Sequence, residues 1–250
     1  MPVWLQATIW GLVAGSALLV GAAVGYLAAL PQRLIAAIMA FGAGVLISAL
    51  AFDLMEEAYQ RGGFDSVSFG FVGGAALYTA ATWWLNHHGA RHRKRSGQAV
   101  QQRDDADSGV AIAVGSLLDG IPESIVIGVS LIAGGAVSFV TVIAIFLSNV
   151  PEGLSGSAGM KRAGRSPRYI FGLWGGITVA SGLAALAGYA VFRHFNNEII
   201  AATTAVAAGA ILAMLADTMM PEAFEEAHDL AGLVTVAGFL AAFILTKIGE

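Results

Sequence analysis

Residues 40–59 read AFGAGVLISALAFDLMEEAY, and residues 205–224 read AVAAGAILAMLADTMMPEAF. Each stretch is apolar enough to form most of a membrane helix, which needs about 20 residues. At a fixed offset the two stretches match at Ala40/Ala205, Ala43/Ala208, Gly44/Gly209, Leu50/Leu215, Ala51/Ala216, Met55/Met220, Glu57/Glu222 and Ala58/Ala223. Small apolar residues inflate such matches, so the shared glycine and the shared Glu-Ala pair carry most of the weight. The chain therefore contains an internal repeat.

The composition is typical of a helical membrane protein. Of the 250 residues, 57% are hydrophobic and 12% are charged, whereas soluble domains average about 25% charged residues. This difference argues against a soluble enzyme, and the net charge of -4 argues against a nucleic-acid partner. The chain has no cysteine, which excludes disulfides, thiolate zinc sites and thiol nucleophiles.

The sequence predicts an all-α fold with eight transmembrane helices in a single domain, 1–250, embedded in the lipid bilayer. A polar run at 87–108 separates the third helix from the fourth, and placing it in the cytoplasm puts ten of the 13 Lys and Arg residues inside. Both termini then lie outside the cytoplasm of a multi-pass protein of the cell membrane. The predicted helices span 4–29, 34–58, 67–86, 110–133, 137–159, 169–192, 198–224 and 230–248.

This topology makes the internal repeat an inverted one. The first copy runs from inside to outside and the second runs back, as in many secondary transporters. Helices four and five form a further pair, since Gly120-Ile-Pro-Glu-Ser124 corresponds to Asn149-Val-Pro-Glu-Gly153. The predicted arrangement is therefore 3+2+3 helices.

Asp119 and Glu123 lie near the middle of predicted helix four, and Asn149 and Glu152 near the middle of helix five. One acid at a helix centre costs roughly 2.5–3.5 kcal/mol on insertion scales, and neither helix contains Lys, Arg or His to offset that cost. Spacings of four and three residues place each pair on one helix face. If the two faces meet, four side chains offer oxygen ligands to one cation. Protonation of the acids is the other way to offset the cost of placing them in the membrane.

A proline precedes each of these glutamates. Pro122 and Pro151 remove an amide donor and free the carbonyls of Leu118 and Leu147. Freed carbonyls are tolerated in a membrane where they line a polar cavity. The alternative interpretation is that each proline only kinks its helix for packing.

Further polar residues suggest a path to and from this site. In the predicted topology, one group of polar residues lies at the outer end of helix two. A second group lies in helix seven and at the inner end of that helix. The two groups would be an entry and an exit for cations. The alternative is that they are solvated helix ends. The candidates are Asp53, Glu57, Asp217, Glu222, Glu226 and His228. In the polar run, His88 and His92 could form a metal pair, or belong to a flexible basic segment.

The paired Pro-Glu motifs resemble those of the ZIP (ZRT/IRT-like) family of divalent metal transporters, and the resemblance covers the whole length. The family pattern His-Asn-x-Pro-Glu-Gly falls on 119–124, and a polar pair followed by x-Pro-Glu-Gly falls on 148–153. This chain departs from the family in having Asp119 for the histidine, Gly120 for the asparagine and Asn149 for the helix-five acid. A helix-six acid that some members use for a second metal is absent around Ala184-Ala185.

The resemblance implies a transporter, not an enzyme, that moves a divalent metal into the cytoplasm by alternating access and forms a homodimer. Zinc is the foremost substrate, with Mn, Fe, Cd and Co as related ions. One metal site is expected, built from Asp119, Glu123, Asn149 and Glu152. An oxygen-only ligand set favours harder ions such as Mn²⁺ relative to a site containing histidine, although Zn²⁺ also accepts carboxylates.

Two other functions fit the same residues. Paired acids within a membrane could perform general acid–base chemistry in a carboxylate enzyme. The protein could also be a metal sensor or binding protein that has lost transport. Metal-dependent stabilisation without turnover would exclude the enzyme, and measured flux would exclude the sensor.

Overall fold

All regular structure in the described part of the protein is helical. The computed structural model describes residues 1–28, 30–87, 107–132 and 139–249. Two π-helical turns, Leu50–Leu54 and Leu215–Met219, and one 3-10 turn, His228–Leu230, join consecutive helices. The α-helices are α1 (Val3–Leu27), α2 (Gln32–Ala49), α3 (Met55–His87), α4 (Asp107–Ser130), α5 (Phe139–Arg162), α6 (Pro167–Phe192), α7 (Asn197–Met214), α8 (Met220–Ala227) and α9 (Ala231–Gly249).

The described residues contain six helical stretches that are long and apolar enough to cross a membrane. The shortest of them has 21 residues, enough to cover a hydrocarbon core of about 30 Å at 1.5 Å per residue. The predicted class, an all-helical protein that crosses the membrane several times, is thereby confirmed. The six stretches are Val3–Leu27, Gln32–Leu85, Phe139–Arg162, Pro167–Phe192, Asn197–Glu225 and His228–Ile248.

The longest stretch, Gln32–Leu85, doubles back on itself at Gly63. This residue has φ 71° and ψ -176°, a backbone conformation that is essentially restricted to glycine. Residues 51–59 and 64–72 consequently line one cleft of about 410 Å³ between the two arms. The 54-residue stretch therefore supplies two helices that run in opposite directions.

Several helix ends differ from the predicted ones. Residues 59–66, predicted as a loop, are helical on both sides of Gly63, where Arg61 and Glu57 form an i,i+4 ion pair of 2.6 Å. The predicted polar loop 87–108 is shorter than expected, because His87 ends α3 and Asp107 begins α4. The rest of that loop, and the break predicted near Gly134-Gly135, lie outside the described residues.

Four helix pairs cross at glycines that face each other's backbone. Gly128 of α4 lies against the Ala185 carbonyl of α6, and Gly188 of α6 lies against the Ile125 carbonyl of α4. A Cβ on either glycine would overlap the facing oxygen, so the close approach requires glycine at both positions. The same reciprocal contact joins α1 with α5 through Gly21/Gly153, α2 with α9 through Gly44/Gly238, and α3 with α7 through Gly74/Gly209.

These pairs assemble into two groups of helices. In the first group, α1 packs on α5 and α6, and α4 packs on α6; the Thr178 hydroxyl of α6 donates to the Gly15 carbonyl of α1 at 3.0 Å. In the second group, α3 packs on α7, and α2 packs on α8 and α9; the two sets are joined at the π turns, because Leu50–Leu54 contacts α7 and Leu215–Met219 contacts α2. The groups meet where α2 lies on α5 and α4 lies on α7.

The two π turns fall at corresponding positions of the internal repeat. The Met55 N–H donates to the Leu50 carbonyl, and the Met220 N–H donates to the Leu215 carbonyl, each five residues back. Each turn also contains an acid, Asp53 or Asp217. π-helical turns inside α-helices are frequent at functional sites, so these turns draw attention to the ends of the two repeated helices.

Candidate metal site on α4 and α5

Two acids in the middle of α4 are buried among mostly apolar residues. Asp119 is 4% exposed and Glu123 is 2% exposed, and they lie one helical turn apart. The intervening Gly120 faces Ser181 of α6, and its carbonyl accepts a hydrogen bond from the Ser124 hydroxyl at 2.7 Å. Both acids therefore point into the protein and not toward lipid.

A tyrosine from the other group of helices holds the first of these acids. The hydroxyl of Tyr78, a residue of α3 that is only 5% exposed, donates to Asp119 Oδ1 at 3.0 Å. Hydrogen bonds to a carboxylate are stronger than those between neutral groups. The position of the α4 carboxylate is thus set partly from α3.

On α5, Asn149 is tied to α1. It is 4% exposed, and its Nδ2 donates to the Ala14 carbonyl at 3.3 Å. Only the nitrogen of an amide side chain can donate to a carbonyl, so this contact turns Oδ1 away from Ala14. The neighbouring Ser148 is also buried and donates to the carbonyl of Ile145 at 2.9 Å.

The proline and glutamate of α5 lie where α5 meets the second group. Pro151 is buried and Glu152 is half-buried. The Leu147 carbonyl, four residues before Pro151, lies 3.3 Å from where a Cβ on Gly42 of α2 would be. The carbonyl that the proline frees therefore faces α2 at Gly42, which has no side chain. The helix α5 continues through Pro151.

The structure does not bring the predicted ligands into one compact cluster. Within the described ranges, no group of three or more His, Asp or Glu side chains lies close enough to hold a metal ion. Asp119 and Glu123 belong to α4, which packs mainly on α6, whereas Asn149 and Glu152 belong to α5, which packs mainly on α1. In this conformation, Asp119 and Glu123 therefore lie on the α4–α6 pair of helices, whereas Asn149 and Glu152 lie on the α1–α5 pair of the same group.

The residues predicted to lie along a path differ in exposure. Asp53 in the first π turn is half-buried, as is Glu57, which pairs with Arg61 at 2.6 Å. Asp217 in the second π turn is exposed on the surface of its helix. These placements do not yet join the residues into one path.

At the end of predicted helix seven (198–224), which the structure divides into α7, a π turn and α8, Glu222 is half-buried in the first turn of α8. His228 is exposed and has φ 44°, an uncommon backbone conformation for a residue other than glycine. The side chain of Glu226, together with His88 and His92 of the polar run, lies outside the described residues.

Sequence reasoning missed Tyr78. Its signal is a single tyrosine in the apolar stretch that precedes Trp83 and Trp84, and a buried tyrosine hydroxyl usually has a hydrogen-bond partner. Spacing within one helix cannot name that partner, because Asp119 lies 41 positions further along the chain.

The chain is a distant homologue of a plant protein. It is 28% identical over 189 residues to a protein of Arabidopsis thaliana named "Putative zinc transporter". The match covers 74% of this chain and 29% of the relative, so this chain spans less than a third of that protein's length. No family model matches the chain. The homology is consistent with membership of the ZIP family, and it confirms the resemblance predicted from the paired Pro-Glu motifs.

Proposed function

We propose that this protein carries a divalent metal ion, zinc or a related ion such as Mn, Fe, Cd or Co, across the cell membrane into the cytoplasm by alternating access. The observation that carries the proposal is the burial of Asp119 and Glu123, at 4% and 2% exposure, in a helix without any Lys, Arg or His. Acids inside membrane helices are costly and mark ion pathways. A cation in transit offsets that cost.

Glu123 and Glu152 are the central ligands in this proposal, and Asp119 and Asn149 complete the site. Both α4 and α5 belong to the first group of helices, so the substrate site is carried by one body. Movement of this group against the group of α2, α3, α7 and α9 would expose the site to each side of the membrane in turn. The resemblance adds that two copies work as a homodimer.

We infer eight membrane helices in a 3+2+3 inverted repeat. Three features support the repeat: the internal sequence match, the π turns at corresponding positions and the reciprocal glycine crossings. In the repeat, α2 corresponds to α7, and their glycine partners α9 and α3 correspond to each other. The turn at Gly63 supports counting Gln32–Leu85 as two of the eight helices.

The positions of the cations support termini outside the cytoplasm. The Lys161 Nζ at the end of α5 donates to the carbonyl of Tyr26 at the end of α1, so these two helices end on the same side. That side also carries Arg162, Arg165 and Arg168. Because Lys and Arg favour the cytoplasmic side, α1 begins on the outside.

Zinc uptake into proteoliposomes tests this proposal. We expect the unchanged protein to import zinc, and we expect Glu123→Gln and Glu152→Gln to reduce uptake to the level of empty vesicles, because each removes a charged ligand and keeps the side-chain volume. Glu198→Gln, at an exposed position in the first turn of α7, is the matched control and should transport normally.

The metal-binding alternative and a wrong ligand assignment have different outcomes in this assay. Zinc-dependent stabilisation without uptake would indicate a metal-binding protein that does not transport. Normal uptake by both glutamate variants would show that the assigned ligands are wrong.

A further inference from the structure

Tyr78 is a buried polar group that the proposed transport function does not use. It lies in the middle of the apolar arm of α3 that follows Gly63 and is 5% exposed. Its hydroxyl donates to Asp119 Oδ1 across the boundary between the two groups of helices, at 3.0 Å. This bond joins a neutral donor to an acid that serves as a metal ligand in the proposed function.

We propose that Tyr78 is a positioning residue for the substrate metal, whose hydroxyl orients the Asp119 carboxylate so that the other oxygen, Oδ2, binds the ion. The inference rests on the proposed function, because it takes Asp119 as a ligand. Tyr78 itself does not touch the metal in this scheme. It acts through the carboxylate, as hydrogen-bonding partners behind metal ligands commonly do.

The chemistry of residue 119 explains why such a partner is useful. An aspartate offers two equivalent oxygens and can bind a metal through one or both of them. A hydrogen bond to Oδ1 withdraws charge from that oxygen and fixes the plane of the carboxylate, which favours binding through Oδ2 alone. The ZIP pattern has a histidine at this position, whose neutral ring binds a metal through its one unprotonated nitrogen, so there is no choice between two equivalent oxygens.

The bond also connects the two groups of helices. Asp119 is on α4, which packs on α6, and Tyr78 is on α3, which packs on α7. A movement of one group against the other changes the distance between these two side chains. The orientation of Asp119 is therefore coupled to the conformation in which the Tyr78 and Asp119 side chains are in contact.

The test compares Tyr78→Phe with Tyr189→Phe in proteoliposomes over a range of zinc concentrations. Both changes delete one hydroxyl and keep the ring. Tyr189 is half-buried on α6, and its ring lies against the Arg193 guanidinium, 5.7 Å from the ring centre. Loss of a hydrogen-bonding partner behind a metal ligand typically weakens metal affinity 10–100-fold. We expect Tyr78→Phe to raise the KM for zinc about tenfold with a much smaller change in maximal rate, and Tyr189→Phe to change neither.

A double variant shows whether the effect passes through Asp119. In the background of Asp119→Ala, the additional change Tyr78→Phe should leave the KM unaltered. A Tyr78→Phe protein whose melting temperature falls but whose KM equals that of the unchanged protein would overturn the inference, because the bond would then be structural only. An equal loss in the presence and absence of Asp119 would also overturn it.

A spectroscopic measurement keeps the inference testable if Tyr78→Phe does not fold. Zinc binding to Asp119 should perturb the hydrogen-bonded tyrosine and give a tyrosine band in the near-ultraviolet difference spectrum. Tyr189→Phe should keep this band and Asp119→Ala should lose it; the absence of the band in the unchanged protein would overturn the inference. Failure of the proposed function is distinguishable, because Glu123→Gln would then transport zinc normally, whatever the effect of Tyr78→Phe.

Discussion

Replacing Asn149 by aspartate separates the structural role of this residue from its role in metal binding. The amide Nδ2 donates to the Ala14 carbonyl at 3.3 Å in a site that is 4% exposed. A carboxylate at this position cannot donate, and it places a negative charge beside the carbonyl oxygen. The change also restores the acid that the ZIP pattern has at this point of helix five.

The expected size of the effect follows from these contacts. A lost hydrogen bond of this kind costs about 0.5–1.5 kcal/mol, and an acid at the centre of a membrane helix costs roughly 2.5–3.5 kcal/mol. Without metal and at neutral pH, Asn149→Asp should therefore lower the free energy of unfolding by about 3–5 kcal/mol. Acidification should recover part of this loss, because a protonated carboxyl can again donate to Ala14.

Thermal unfolding in detergent, with and without zinc, measures both roles. Asn149→Ala removes the donor without adding charge and should lose only about 1 kcal/mol. Asn196→Asp is the matched control, because Asn196 caps α7 by accepting from the Ile199 N–H at 3.0 Å, a role that aspartate fills equally well. Zinc should stabilise Asn149→Asp more than it stabilises the unchanged protein, since the new carboxylate joins Glu152 around the ion.

Two results would refute this reasoning. If Asn149→Asp without metal unfolds at the same temperature as the unchanged protein, the amide does not depend on the Ala14 carbonyl. If zinc raises the melting temperature of both proteins equally, residue 149 is not part of the metal site, and the proposed ligand set loses that member.

Two further predictions concern packing and selectivity. Gly128→Ala should lower the melting temperature, because its Cβ would overlap the Ala185 carbonyl. Gly176→Ala in α6 is the control and should be neutral or slightly stabilising, because no heavy atom lies within 4 Å of the added Cβ. Equal melting temperatures of the two variants would contradict the close crossing of α4 and α6. Competition between Zn²⁺ and Mn²⁺ for uptake should show that this protein is less selective than a transporter whose site contains histidine, because all four proposed ligands offer oxygen. Asp119→His introduces the family residue and should shift selectivity toward Zn²⁺. A strong Zn²⁺ preference in the unchanged protein would reject this prediction.

The features that the sequence predicted well depend on composition and on local spacing. A chain with 57% hydrophobic residues and 12% charged residues has few options except membrane helices, and the six apolar stretches follow from that. Likewise, Asp119 and Glu123 are four residues apart, so a helix places both on one face wherever it packs. The ligand set itself stays a prediction, because the spacing within α4 and within α5 does not determine how these two helices approach each other.

Other features depend on backbone conformations and contacts that no local pattern encodes. The turn at Gly63 falls in the break that the sequence predicts between helices two and three, at 59–66, but the sequence does not show that a single glycine with φ 71° makes it. The π turns contain no residue type that requires them, since Pro221 follows the second turn but no proline follows the first. The helix ends on either side of Gly63 therefore lie several residues from the predicted ones.

The two inter-helix contacts at the proposed site have a common consequence for transport. Tyr78 already donates to Asp119, and Asn149 already donates to Ala14, so both outer ligands are held by neutral partners within the protein. An entering cation therefore meets an Asp119 carboxylate that Tyr78 has already oriented, and an Asn149 side chain whose orientation is set by Ala14. Conduction requires a substrate to bind well enough to enter and weakly enough to leave. Because the Tyr78 hydroxyl orients Asp119 for the ion, zinc binding is strongest while this bond is intact. A movement that separates the two side chains therefore weakens binding and favours release.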